Sequence, residues 1–362
     1  MDTKHPENLC VTSVPEEESS SVFEKMKNFK AEYPEKLATF NREIEAYFEK
    51  RSAKSQDLAV KERVRDELQK VANEIFPRCE VVIGGSTASH LATAKSDLDL
   101  CLFVAEVDGS YAQNRDSTLR ILRRFYDSLR INLPSSMADI EFIHWARVPI
   151  VILKCTGEYD NLQVDIPCNK VNSMKTTHLI YHYVRFDDRV AKLKLGVKRW
   201  ATNIGILNSM QGRLSSFHLT LMVIHFLQSV CTPSILPNLD KLFPGAFEKG
   251  HVWDLHRNEC TCVDMSIKNQ MLKNDLSVGE LFLGFIAYYD QYSWKDWAID
   301  VRSAKRQFRT GPRSVDMDIQ EPYEGLNSIG YKSRWNRVEW PLKRSVASIF
   351  EKGALEAKDF LL

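Results

Sequence analysis

The sequence predicts an α+β protein: a mixed-sheet domain over about 62–166, then a mostly helical domain. Three observations predict it. Between Glu80 and Ile166 the apolar residues fall in short runs of strand length, several with a period of two. After Val171 the runs lengthen and take helical spacing. With 44% hydrophobic and 27% charged residues among 362, the chain can bury a sizeable core, and bulk disorder is excluded.

The elements follow in order. Residues 1–22 carry Glu16-Glu17-Glu18 and Ser19-Ser20-Ser21 with almost no large apolar residue, which predicts a disordered leader. Residues 23–61 are expected as N-terminal helices packing on the later helical domain. Over 38–75 Leu58, Val64, Leu68 and Val71 stand at near-helical spacing, and Pro77 stops the pattern. Strands are predicted at 80–83, 98–104, 140–144, 149–154 and 162–166. A helix from a cap at Asp116 through Leu119, Leu122, Phe125 and Leu129 interrupts them. Runs 179–200, 214–228 and 278–289 are the clearest helices of a domain spanning 167–345, and Pro233 and Pro237 mark a connection within 230–242. Residues 346–362 are expected as a C-terminal tail.

Composition excludes several classes. Lys and Arg number 49 against 48 Asp and Glu, so no overall field draws the chain to nucleic acid or membrane, and any polyanion site must be local. The longest apolar stretch, 219–227, is interrupted by His225 and is too short to span a bilayer. Met1-Asp2-Thr3-Lys4-His5 lacks the apolar core of a signal peptide. Eight scattered cysteines, mostly in apolar segments, are expected as reduced thiols of a cytoplasmic protein.

The strongest chemical signal is Gly84-Gly85-Ser86-Thr87 after one strand, with Asp97-Leu98-Asp99 opening the next. Paired glycines let the backbone turn tightly and approach a ligand. Ser86 and Thr87 suit a helix N-terminus, whose free N–H groups and dipole hold phosphate. On a strand, Leu98, Leu100 and Leu102 face one side while Asp97 and Asp99 face the other, roughly 6–7 Å apart. Such carboxylates opposite a phosphate cradle suit divalent cations that clamp a triphosphate. Each half alone is a common turn or a solvated strand face; their conjunction is specific. A third carboxylate must help ligate the metal that activates an attacking hydroxyl. Asp165 fits, at the outward parity of Gln163-Val164-Asp165-Ile166-Pro167, although alone it reads as an edge-strand charge.

These residues resemble the DNA polymerase β-type nucleotidyltransferases. More narrowly, they look like the cytoplasmic poly(A) polymerases and terminal uridylyltransferases, with the germline-development poly(A) polymerases nearest. The similarity keeps its order over about 60–340. Val197-Lys198-Arg199-Trp200-Ala201 looks like the family's lysine–tryptophan helix, whose lysine reaches the triphosphate. Leu214-Ser215-Ser216-Phe217 is similar to its Leu-Ser-Ser-Tyr segment, where the second Ser binds phosphate and the ring stacks on the base. Leu227-Gln228 with Pro233-Ser234-Ile235-Leu236-Pro237 fits the stretch that follows. Gly279-Glu280-Leu281-Phe282-Leu283-Gly284-Phe285 resembles the signature of the poly(A)-polymerase-associated domain. Glu321-Pro322-Tyr323-Glu324-Gly325-Leu326-Asn327 is similar to the nucleotide-recognition loop. Taken singly, Trp200 and Phe217 read as core residues, and Glu280 and Gly284 as a close helix contact.

The resemblance implies a polymerase β-like sheet domain and a helical central domain with a cleft between them. It implies a two-metal site for Mg²⁺ or Mn²⁺ on the catalytic Asp97, Asp99 and Asp165. It also implies a nucleotide site of Gly85, Ser86, Asn169, Lys198, Ser216, Phe217, Glu321 and Asn327. The implied reaction adds AMP from ATP to an RNA 3′-hydroxyl and releases pyrophosphate. Uridylyltransferases of the family commonly carry His in the recognition loop, so Asn327 favours ATP over UTP. Use of UTP, and a weakly active or inactive RNA-bound scaffold, remain the alternatives. A small-molecule or 2′-5′ oligoadenylate nucleotidyltransferase shares the first motifs but leaves the later segments unexplained. Thr202 stands where a second triphosphate lysine is common, and Thr176 where an Asn near the ribose is usual.

Lys305, Arg306, Arg309, Arg313, Lys332, Arg334 and Arg337, beside Trp335 and Trp340, suit a single-stranded RNA 3′ end or, equally, a solvated surface. The sequence carries no RRM, KH or zinc-finger signature, so an RNA-binding protein partner is expected to supply target choice. His251, His256, Cys260 and Cys262 match no zinc spacing and are read as structural.

Overall fold

The computed structural model describes residues 14–132, 137–159, 162–249, 262–309, 316–324 and 333–355. Two compact units share the chain: one of 51–181 with 248–261, the other of 1–50, 182–247 and 262–362. In chain order the elements are α1 (Glu16–Glu32), α2 (Pro34–Arg51), α3 (Ser55–Ile75), β1 (Cys79–Ile83), the single turn α4 (Gly85–Ala88), β2 (Leu98–Val104), α5 (Arg115–Asn132), β3 (Met137–Ile143), β4 (Ile150–Cys155) and β5 (Gln163–Ile166). Then come α6 (Val171–Phe186), α7 (Arg189–Asn203), α8 (Ser216–Ser229), α9 (Leu239–Leu242), α10 (Ala246–Lys249), α11 (Val278–Asp290), β6 (Trp297–Asp300), β7 (Lys305–Phe308), β8 (Asp316–Met317), β9 (Ser333–Arg334) and α12 (Glu339–Lys352).

In the sheet unit the strand order is β1-β2-β5-β4-β3. Only the β2–β5 pair is parallel. Period-two alternation sorts the side chains. Val81, Ile83, Leu98, Leu100, Leu102, Val164 and Ile166 pack under the apolar stripes of α3 (Val64, Leu68, Val71) and α5 (Leu122, Phe125, Leu129). Val82, Cys101 and Phe103 point the other way and meet Met174 of α6. Burial on both faces makes β2 a nearly continuous apolar run, in which Asp99 stands out. The β4–β5 hairpin then inserts β5 between β4 and β2.

The helical unit is built on α8 and α11, both buried almost throughout, with α7 packed on each. α1 lies along α11. A side chain at Gly284 would put its Cβ 2.7 Å from Met26 Sδ and 2.8 Å from Phe226, so glycine is what permits that approach.

Several expectations change. The leader does not extend to residue 22. α1 starts at Glu16, with Val22 and Met26 buried and Glu18 paired with Arg306, and residues 1–13 lie outside the described set. Likewise 346–355 is no tail, because Val346 and Ile349 of α12 and then Leu355 are buried; 356–362 lies outside the described residues. The 38–75 pattern is two helices, broken where Ser52 bridges Thr93. The 179–200 run is also two, broken at Asp187–Asp188. There Arg189 holds the Asp187 carboxylate at 2.8 Å and reaches the carbonyls of Asn274 and Leu276. A side-chain clamp of this kind has no periodic signature.

Candidate active site

At the end of β1 the Gly84 N–H donates to the Asp99 carbonyl at 2.8 Å, carrying the ladder one residue past the strand. Gly85 then takes a left-handed φ of 54°. A Cβ there would stand 2.0 Å from Asp99 Oδ2, so both conformation and space require glycine. This closeness brings the Ser86 backbone N–H near enough to the Asp99 carboxylate to favour its charged form. The expected helix N-terminus is only the single turn α4, too short to sum a macrodipole. Any phosphate-facing character therefore belongs to the N–H groups of the turn.

In the β2–β5 register Asp99 lies directly opposite Asp165, on strands about 4.8 Å apart. Both are half-buried, while Asp97, at the entry to β2, is exposed. Burial, then the Asp165 charge and Asp97, push the Asp99 carboxyl above its ordinary range, against the Ser86 N–H and Lys61. Burial also raises Asp165, with Asp97 adding to it, against a 3.0 Å hydrogen bond donated by Gln163 Nε2. The structure thus joins Gly85, Ser86, Asp97, Asp99 and Asp165. Three carboxylates whose charges repel one another form an all-oxygen donor set that fits a hard divalent cation such as Mg²⁺ or Mn²⁺.

Asn169, expected in the nucleotide site, lies inside the frame. It is fully buried at φ 53°; its Oδ1 accepts the Val104 N–H at 3.0 Å and its Nδ2 donates to the Ala112 carbonyl at 2.9 Å. Its amide is engaged by the frame at the end of β2. Sequence reasoning also missed Lys61, a lysine 1% exposed on the core stripe of α3. Its Nζ donates to Thr87 Oγ1 at 3.1 Å and reaches the Asp97 carbonyl at 3.5 Å. The available signal was a charge standing at the spacing of Val64, Leu68 and Val71.

In the helical unit Lys198 is half-buried on α7, and the Thr202 hydroxyl donates to its carbonyl at 2.8 Å. Ser215 caps α8 by accepting the His218 N–H at 3.0 Å, so that Ser216 and Phe217, both half-buried, open the helix. α7 and α8 pack together. Glu321 is half-buried. Beside it Tyr323 donates to Asp240 at 2.9 Å under the Arg302 guanidinium. Asn327 lies outside the described residues, as do Arg313, Lys332, His251, His256 and Cys260.

Trp200 is a core residue, its Nε1 donating to Ser345 Oγ at 3.0 Å. Glu280 forms a capping box with Ser277 and pairs with Lys30 at 2.7 Å. The basic stretch is partly consumed inside the fold. Arg306 pairs with Glu18 and stacks on Trp297, and Arg309 donates to the Trp294 carbonyl. Among the described residues Cys79, Cys101, Cys155, Cys168, Cys231 and Cys262 are free thiols, and no helix is long and apolar enough to cross a membrane.

The five-stranded sheet thus carries the glycine turn and the facing aspartates side by side. A family profile described as "Poly(A) RNA polymerase, mitochondrial-like, central palm domain" matches residues 40–185. Poly(A) RNA polymerase GLD2 of Bos taurus is 31% identical over 301 residues, covering 82% of this chain and 60% of that protein. GLD2-A of Xenopus laevis is 32% identical over 277 residues, covering 75% and 52%. The chain therefore spans 60% or less of these relatives' length. A solved GLD-2/RNP-8 complex superposes with a TM-score of 0.74 at 26% identity, covering 90% of this chain and 98% of that one. mtPAP with ATPγS gives 0.73 at 22% identity over 87% and 68%, a likeness of fold. By these comparisons the chain is similar to the poly(A) RNA polymerases over most of its length.

Proposed function

We propose that the chain is a template-independent RNA 3′-end nucleotidyltransferase that adds AMP from ATP. The observation that carries the reading is the facing of Asp99 and Asp165 across β2 and β5, with the Gly85 turn closed against Asp99. Divalent ions bound by these carboxylates would supply charge neutralisation of the triphosphate and acidify the RNA 3′-hydroxyl. The protein's part is positioning. Gly85 lets the turn close on Asp99, and Ser86 holds phosphate from that turn. Lys198 and Ser216 take the remaining phosphate charge, and Phe217 stacks on the base, with Glu321 and Asn327 in the recognition segment. Positioning and charge neutralisation provide most of the rate in phosphoryl transfer.

The relatives' names support adenylation, and Asn327 rather than His is consistent with it. Solved GLD-2 structures hold RNP-8 or GLD-3, which supports a protein partner for target choice. Buried free thiols support a reducing, cytoplasmic setting.

The test is incubation of the protein with labelled oligo(A) RNA, Mg²⁺ or Mn²⁺ and each NTP in turn, beside an Asp97→Ala/Asp99→Ala control. Extension with ATP, absent from the control, is the expected result. Extension with UTP alone makes the chain a uridylyltransferase. No extension with any nucleotide, with candidate partner proteins added, leaves the scaffold.

A further inference from the structure

Lys61 stands on the buried stripe of α3 among Val64, Leu68 and Val71, where an apolar side chain would follow the pattern. Burying an ammonium costs several kcal/mol unless it is well paired. Among the described residues its hydrogen-bond partners are one hydroxyl and, at longer reach, one carbonyl, and its charge is offset from further away by Asp99, Asp97 and Asp57. Among the described residues no carboxylate comes within ion-pair distance of it, so it is a poorly paired buried charge. Its two contacts explain why it would be kept. Thr87 belongs to the glycine turn and the Asp97 carbonyl opens the carboxylate strand, so one ammonium spans both halves of the motif.

We propose that Lys61 is a positioning residue of the carboxylate site, its ammonium fixing the turn that carries Thr87 against the strand that opens at Asp97. The inference rests on the nucleotidyltransferase reading above. It separates cleanly from a structural role. Replacing a buried charge by an apolar side chain of similar volume is often neutral or stabilising. A residue kept for function at a cost to stability moves the two in opposite directions.

Lys61→Met and Thr87→Val are compared with wild type and with Asp97→Ala/Asp99→Ala. The readouts are the metal-free thermal midpoint, Mn²⁺ binding by titration calorimetry, and kcat and KM for ATP in RNA extension. Lys61→Met is expected to melt no lower than wild type and to lose at least about tenfold in kcat. It should bind Mn²⁺ about three- to tenfold more tightly, because a cation near the ion has gone. Thr87→Val keeps the cation and loses the hydroxyl, so kcat falls while Mn²⁺ affinity stays. Lys61→Met that melts lower with unchanged Mn²⁺ affinity overturns the inference, as does Lys61→Met with wild-type kcat. Wild type that neither extends RNA nor binds Mn²⁺ sinks the functional reading and this inference together; active wild type beside an unaltered Lys61→Met sinks this inference alone.

Discussion

Gly85 concentrates the chemistry of the turn in one residue. A methyl there must displace the Asp99 carboxylate or open the turn, in a backbone conformation that itself costs a non-glycine residue about 1 kcal/mol or more. Gly85→Ala is therefore expected to lower RNA extension about a hundredfold, since misplacing a reacting group by an ångström has that scale of effect. Steady-state kinetics on folded variant would show it. Asp99 gives a prediction with a definite sign. Its pKa is raised above the ordinary 3.8, so its ionisation costs stability as pH rises through the folded value, and the cost is absent below 3.8. Asp99→Asn should then raise the metal-free melting temperature at pH 7 while abolishing activity. The gain should fade as the pH falls toward 4, in paired melts across that range. At this scale Asp97, Asp99, Gly85 and Ser86 were legible because the motif is local. Asn169 was not, because its partners Val104 and Ala112 are distant in sequence and only the fold spends its amide on them.

Elements show which signature residues hold the frame. Glu280 and Ser277 satisfy the free N–H groups at the start of α11, and Lys30 adds an ion pair from α1. Ser277→Ala should cost about 1 kcal/mol of stability in a denaturant titration. KM for ATP should be unchanged, because the capping box acts on α11 alone; a raised KM would place this helix start in nucleotide binding. Most elements could be read from periodicity, because strands and helices bury stripes of different spacing. The breaks could not. A short bridge from Ser52 to Thr93 and the Arg189–Asp187 clamp end helices that the apolar pattern would have run on. The first turns of α1 escaped notice because Glu16 to Ser21 look solvated, while Val22, Met26 and Phe29 bury one face of the same helix.

For the whole molecule, ligand binding should report as stability. A cation that binds the folded carboxylate set and not the unfolded chain stabilises by about 2.7 kcal/mol at a hundred times its Kd. Mn²⁺ should raise the melting temperature of wild type and a chelator should reverse it, with no response from Asp97→Ala/Asp99→Ala; an equal response from that variant would place the ion elsewhere. By itself the sequence determined the α+β class, the order of most elements, the glycine turn and the three aspartates, because periodicity and close spacing are written along the chain. Tertiary structure alone set Asp165 opposite Asp99, since that register depends on β5 returning between β4 and β2. It alone enclosed Lys61 beside Thr87, and it turned Trp200, Glu280 and Arg306 inward to hold the frame. What a charged or aromatic side chain does depends on which distant residues come within a few ångströms of it, and no local pattern records that.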